Sequence, residues 1–592
     1  MFTTRPELAG TFGMVASTHW LATAAGMAVL ECGGNAFDAA VATGFALQVV
    51  EPHLNGPGGE VPILFAAGDR SGGGTGGPVL LSGQGIAPAG ATIEAFEHLG
   101  LELVPGTGLL AATVPGAVCA WLTLLRDHGT QPLDAVLRYA IEYAETGHPL
   151  LPRVAATVAS VSEHFRTSWP TSAATWLTSD GALPRTGELF RNSVLASTYR
   201  RLLDAARGPS REAQIDAALS AWSQGFVAEA IDRFTRYPVL DDSGRPHSGF
   251  LTGQDLAGWT PTYEPPVTLD RKGWTLAKAG PWSQGPALLQ ALAMLDDVPP
   301  AGADRVHASV EAVKLAMADR EAWYGDVDDV PLHELLSAPY AAQRRALIGD
   351  TASKALRPGS PDGRPPRLPA LAASADTRRA PAAPGTGEPT VSRTGTTRGD
   401  TCHVDVGDRW GNLVSATPSG GWLQSSPVIP ELGFPLGTRA QMFWLERGLP
   451  NSLAPGKRPR TTLTPSLALR GGEAVLAFGT PGGDQQEQWQ LCFWLAHADD
   501  GLDLQAAIDA PAWHTTSFPS SFHPRDMSPG EVVVESRVGE DVVAALRARG
   551  HDVTVSGPWT LGRLSAVSRD PGTGILRAAA NARGMSGYAA GR

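Results

Sequence analysis

Hydrophobic patterning divides the chain into a helical first half, a patternless stretch and a strand-rich end. In residues 16–52, "ASTHWLATAAGMAVLECGGNAFDAAVATGFALQVVEP", apolar and small residues occupy every face of the helical repeat, which predicts two buried helices. Gly33 and Gly34 break them, and Asn35, with Asp38 three residues on, is placed to cap the second. "VPILFAAGDRSGGGTGGPVLLSG" (61–83) predicts two strands joined by a glycine-rich turn. From about 108 to 350 helix-period segments dominate, among them "LDAVLRYAIEYAETG" and "RVHASVEAVKLAMADREAWYG". Residues 351–400 are rich in Pro, Ala, Gly, Thr and Arg, with almost no aromatics and no period. Such a segment buries too little apolar area to offset its ordering entropy, so a disordered linker is expected there. After it come strand patterns: "TCHVDV", "LVSAT", "TLTPSLALRGGEAVLAFGTPGG", "VVVES", "HDVTVSG" and "LSAVSRDPGTGILRAAA", with one helix at "GEDVVAALRARG".

Composition narrows the function classes. Net charge is −12, with no run of Lys or Arg, which argues against nucleic acid and anionic membrane surfaces as partners. No apolar stretch approaches eighteen residues, so no membrane span is expected. Cys32, Cys119, Cys402 and Cys492 lie far apart without CxxC pairing, which fits reduced thiols and neither a disulfide framework nor zinc. The opening "MFTTRPELAGTFGMVAS" lacks the apolar core of a secretory signal, so a cytoplasmic location is expected. Gly72, Gly74 and Gly77 spell GxGxxG, but a proline and a strand follow where a dinucleotide site needs a helix. "GPWSQG" around Ser283 lacks the first glycine of a nucleophile elbow. The histidines of "GHD" and "WHTT" stand alone, and no metal-ligand spacing is present.

The candidate chemistry gathers at Thr401, where the strand region begins. Folding 401–417 as a hairpin, with its turn at Asp408–Gly411 and Gly407 opposite Asn412, sets Thr401 opposite about 418. Thr417 and Ser419 then return beside it. A strand-start hydroxyl with a second hydroxyl in reach is what an activated nucleophile needs. Further on, "FGTPGGDQQEQWQ" ends a strand at Gly479. Gly482 and Gly483 would bare backbone N–H groups at a helix start that Asp484 caps with Glu487, an arrangement suited to an oxyanion.

With these segments in view the sequence resembles the γ-glutamyltransferase family of N-terminal-nucleophile hydrolases. The resemblance rests on "GMVASTHWLATAAGMAVLECGGNAFDAAVATGFALQVVEPHLNGPGGE", on "ATVPGAVCAWLTLLRDHGTQPL", and on "GKRPRTTLTPSLAL" and "GTPGGD". It implies a mixed α/β fold, the four-layer αββα sandwich. Residues 1–350 would form the large-subunit portion, 351–400 the linker and 401–592 the small subunit, the two chains intertwined in one domain. It also implies that the precursor cuts itself between Asp400 and Thr401, giving chains of 400 and 192 residues. Thr401 would become the N-terminal nucleophile and its freed amine the general base. Thr417 and Ser419 match supporting hydroxyl positions, and Gly482 and Gly483 match the oxyanion glycines. No cofactor is required. The cleaved pair is a heterodimer, and a higher oligomer is compatible with it.

The match fails at the residues that grip a glutamyl group. Ile93 stands where the family has an arginine for the α-carboxylate, and Trp444, after Gln441 and Met442, where it has an aspartate for the α-ammonium. Gly421 replaces an asparagine, and Thr461 and Thr462 replace two serines. Losing both charged anchors, at about 1.5–3 kcal/mol each, weakens glutamyl recognition by roughly a hundredfold to ten-thousandfold. The leading expectation is a self-processing hydrolase or acyltransferase on a small-molecule amide other than a standard γ-glutamyl donor. Two alternatives stand beside it. One is hydrolysis of a carbon–carbon bond by the same threonine, as the resemblance extends to relatives in alkylproline antibiotic biosynthesis of the lincomycin and anthramycin type. The other is a non-catalytic binding protein that kept the fold.

Overall fold

The computed structural model describes residues 2–68, 76–296, 301–373 and 401–592. Two seven-stranded sheets form its centre. The first runs Leu8–Gly10, Leu576–Ala580, Ser565–Arg569, Glu473–Gly479, Ser466–Arg470, Trp274–Lys278, Val267–Arg271. The second runs Tyr588–Gly591, Gly13–Ser17, Val404–Asp408, Leu413–Ala416, Val61–Ala66, Val79–Gly83, Thr262–Glu264. All pairings within both sheets are antiparallel.

Strand alternation divides the core into layers. Met14, Ala16, Leu64 and Leu413 meet Ala277, Leu467, Ala477 and Val567 between the sheets. Their neighbours Val15, Ile63, Phe65 and Val414 face outward onto the helices Trp20–Glu31, Ala36–Val50 and Ala117–His128. On the far side Leu276, Ala468, Leu476 and Phe478 pack under Gly285–Ala293, Gly302–Trp323 and Gln486–Trp494. The result is the expected αββα sandwich. Gly13–Ser17 pairs directly with Val404–Asp408, so segments from either side of residue 400 share one sheet.

The two N-terminal helices form as patterned. Asn35 accepts from the amides of Phe37 and Asp38, and Asp38 returns a bond to the Asn35 amide. Gly471 and Gly472, both at positive φ, turn the hairpin in which Arg470 faces Glu473.

One expectation is refined and another corrected. The strands Val267–Arg271 and Trp274–Lys278 lie inside the stretch read as mainly helical, joined by a two-residue turn of Lys272 and Gly273, both at positive φ. Residues 351–373, read as disordered linker, are tied down. Arg357 pairs with Glu311 at 3.1 Å, the Gly359 amide donates to Asp319 at 2.7 Å, and Pro361 and Ala372 are buried. This polar stretch is ordered by its bonds to the buried helix Gly302–Trp323, which composition does not reveal. The rest of the expected linker, 374–400, lies outside the described residues, as do residues 69–75 of the expected glycine-rich turn, with Gly72 and Gly74.

Candidate active site

Thr401 stands at the entrance of the central hairpin of the second sheet. It is 1% exposed and forms a bridge with Ser419, and the two hydroxyl oxygens lie 3.3 Å apart. The hairpin register is one residue longer than expected: Gly407 faces Leu413 and Val404 faces Ala416. The cause is the Asp408 side chain, which accepts from the amides of Trp410 and Asn412 and from the Ala36 amide of the second helix. This Asx turn closes over five residues instead of four.

That shift separates the two candidate hydroxyls. Ser419 is the one beside Thr401. Thr417 belongs to His403, whose Nδ1 lies 3.0 Å from the Thr417 Oγ1. His403 Nε2 meets Asp405 at 3.0 Å, and Ser565 donates to the other Asp405 oxygen at 2.7 Å. The imidazole is fully buried between the sheets. A Cβ on Gly479 would sit 2.3 Å from it, so only a glycine lets the facing strand pass.

Ser419 has a second support that the sequence reading did not name. Arg439 donates to its Oγ at 2.8 Å, pairs with Glu60 and stacks 5.0 Å above the Trp422 ring. Burial pushes the Glu60 carboxyl up from its ordinary range, against the pull of Arg439. Arg563 is another unforeseen member. Its guanidinium donates to the Thr401 carbonyl at 3.4 Å while its amide donates to Thr480 Oγ1 at 3.0 Å. It thereby ties Thr401 to the turn that carries Gly482 and Gly483.

In that turn both glycines have positive φ, +133° and +54°. A Cβ at Gly482 would lie 2.2 Å from the Trp489 ring. A short 3₁₀ turn, Gly483–Gln485, leads into the helix Gln486–Trp494. The expected cap by Asp484 is absent. Its carboxylate instead accepts from the Ser521 amide and hydroxyl, at 2.8 and 2.6 Å, and from Arg320 at 2.5 Å. A buried guanidinium outbids a helix end for a carboxylate. Glu487 likewise turns to Gln284 and to Lys278.

The residues expected at the pocket divide by their contacts into an apolar and aromatic group, the expected wall, and a hydrogen-bonded framework. Ile93 is buried in an apolar cluster with Phe96, Ala440 and Phe443. The Trp444 indole donates to Glu321 at 2.7 Å, and Arg525 lies over its ring. Arg460 also holds Glu321, at 2.7 Å. Burial works against the Glu321 charge, but Arg460, Arg320 and Arg525 overcome it and keep the carboxyl below its usual range. Gln441 is spent on the framework, donating to Gly106 and Thr438 and accepting from the His523 amide. Gly421 has φ +64°, and a Cβ there would stand 3.0 Å from the Gly59 nitrogen. Thr461 is fixed through its backbone to Trp282 and Gln284. Thr462 Oγ1 is buried with no hydrogen-bond partner among the described residues.

Residues 22–591 match the family described as gamma-glutamyltranspeptidase. The chain belongs to that family. It is 31% identical to the oxamate amidohydrolase proenzyme of Klebsiella pneumoniae subsp. pneumoniae, over 98% of each chain. The solved structure of LmbA2991HD superposes with TM-score 0.94 at 61% identity, covering all of both chains. Cephalosporin acylase from Bacillus halodurans does so with TM-score 0.81 at 29% identity, over 100% of this chain and 97% of that one. The protein is thus a γ-glutamyltranspeptidase-family enzyme.

Among the described residues no helix is long and apolar enough to cross a membrane. The fold does bring together one group that sequence spacing could not reveal, His307, Glu311 and His551, with ligand atoms within 4.8 Å of one another. Glu311 there already binds Lys314 at 2.6 Å and Arg357 at 3.1 Å, and the two imidazoles share a 2.8 Å contact. Two cations on the only carboxylate oppose a third.

Proposed function

We propose that this enzyme is a self-processing hydrolase or acyltransferase for a small-molecule amide other than a standard γ-glutamyl donor, with Thr401 as its nucleophile. The observation that carries the reading is the Thr401–Ser419 hydroxyl contact at the mouth of the hairpin, beside a turn of two positive-φ glycines. In self-processing, Thr401 Oγ attacks the Asp400 carbonyl carbon. The hydroxyl proton passes to the nitrogen as the C–N bond breaks, and water then splits the ester into an Asp400 carboxyl and a free Thr401. The bared amine takes the hydroxyl proton in each later turnover.

The acyl preference follows from the wall. Ile93 and Phe443 offer a glutamyl carboxylate no charge, and Trp444 presents an aromatic ring where an ammonium would want an oxygen. Relatives named oxamate amidohydrolase and cephalosporin acylase lend the reading weight.

Purified protein should give two bands on a denaturing gel, the smaller beginning Thr-Cys-His, and Thr401→Ala should give one. A wild-type chain that stays whole sinks the proposal and favours the binding-protein alternative. Comparing a γ-glutamyl anilide with aromatic and aliphatic acyl anilides tests the pocket. Preference for the γ-glutamyl compound would refute the altered specificity.

A further inference from the structure

Ser419 sits between two partners of opposite demand. Thr401 donates its hydroxyl proton toward the Ser419 oxygen at 3.3 Å in the resting structure, and Arg439 donates to the same oxygen at 2.8 Å. A guanidinium has donors and no acceptor, so it fills an acceptor position on Ser419 and strengthens that residue's own hydroxyl as a donor. Once Thr401 surrenders its proton, its oxygen must accept. The Ser419 hydroxyl, already in contact, is placed to rotate and meet it.

We infer that Arg439 is a positioning residue: clamped by Glu60, it polarises Ser419 and makes that hydroxyl a donor to the Thr401 oxygen as negative charge develops there. The inference rests on the reading of Thr401 as nucleophile. Three features suit Arg439 to the task. Its Nε reaches Glu60 at 2.5 Å, its face rests on Trp422, and it is itself 1% exposed. The Glu60 backbone is fixed as well, exchanging hydrogen bonds with the Ser419 backbone at 2.9 and 3.0 Å. Serine, arginine and glutamate are therefore one rigid unit, and the guanidinium charge cannot drift from the hydroxyl it polarises. In such a buried setting a fixed positive charge acts strongly on a developing anion.

Other charged groups face this centre and remain unchanged in the test. Arg563 lies on the Thr401 carbonyl, and His403 with Asp405 lies beneath Thr417. On the opposite strand face, Cys402 meets Glu51.

Self-cleavage supplies a readout that needs no substrate. Removing Arg439 alone would strand the Glu60 charge, so the variant is Arg439→Met with Glu60→Gln, compared with Arg439→Lys. Proenzyme is made under conditions that block cleavage, and its conversion is followed by gel and intact mass from pH 5 to pH 10. The double variant should cleave roughly ten- to hundredfold more slowly, the worth of a charge-assisted hydrogen bond. Its rising limb should move to higher pH, because the developing alkoxide loses a stabilising charge. Arg439→Lys should recover part of both. A double variant that slows equally at every pH would mark Arg439 as structural and overturn the inference. So would unaltered kinetics. Thr401→Ala run alongside separates the two readings: cleavage that persists in it sinks the nucleophile itself, whatever Arg439 does.

Discussion

The hairpin that bears Thr401 and the wall that bears Trp444 are built on opposite plans. The hairpin draws first on what is close at hand. Thr417, His403 and Asp405 lie within 15 residues of sequence and bond to one another, while Ser565 on Asp405 and Arg439 on Ser419 reach in from further off. The wall is a mosaic of full charges drawn from distant segments. Glu321 comes from a long helix, Arg460 from the loop after Trp444, and Arg525 from a third loop more than sixty residues further on. Losing one hydroxyl of the hairpin leaves a single polar neighbour unpaired. Losing one member of an ionic network takes the counter-charge from every neighbour.

The comparison breaks most visibly at Glu321. Replacing it by Gln leaves Arg460 and Arg320 facing each other in the interior, and Arg525 with them. Breaking a buried pair by removing one partner costs about 3–5 kcal/mol. Glu321→Gln should therefore lower the urea midpoint by a corresponding amount, measured on cleaved protein. A midpoint within error of wild type would show that the wall is not held by charge.

Gly482 comes next and reports on catalysis instead of stability. Its φ of +133° and the Trp489 ring 2.2 Å from a would-be Cβ allow no side chain without displacing the turn. Gly482→Ala should reduce turnover of the best amide by about a hundredfold to a thousandfold, the range for a lost oxyanion donor. The test is kcat, with circular dichroism confirming the fold. Turnover within tenfold of wild type would remove Gly482 from the oxyanion role.

Much of the hairpin was legible because its determinants are local. Alternation marked the strands, and Asn35 with Asp38 marked the helix start next door. The register slipped by one residue because Asp408 spends its carboxylate on a longer turn, partly paid for by a helix amide 372 positions away. Distance also hid the rest. Arg439 gains its meaning from Glu60, 379 residues off, and Asp484 abandons a helix cap for an arginine 164 residues off. The strand pair at 267–278 was readable in principle. "VTLDRKGWTLAK" alternates around a Lys-Gly turn, but the helical periodicity on both sides masked it. Local polar patterns announce themselves, whereas ion pairs across the sandwich appear only once it closes.

The finest division lies within the hairpin, between two hydroxyls two residues apart. Ser419 lies 3.3 Å from Thr401, while Thr417 is engaged 3.0 Å from His403. Ser419→Ala removes the group that meets the nucleophile, and self-cleavage should slow by about tenfold or more. Thr417→Val keeps the shape but leaves a buried imidazole nitrogen without its partner, at about 1–3 kcal/mol of stability. Its cleavage rate should fall less than that of Ser419→Ala, and its unfolding midpoint should fall more. The two variants, followed by the same gel assay and the same urea titration, should thus cross over. If Thr417→Val instead proves the slower to cleave, the hydroxyl that serves the nucleophile has been misassigned, and the proton path runs through His403.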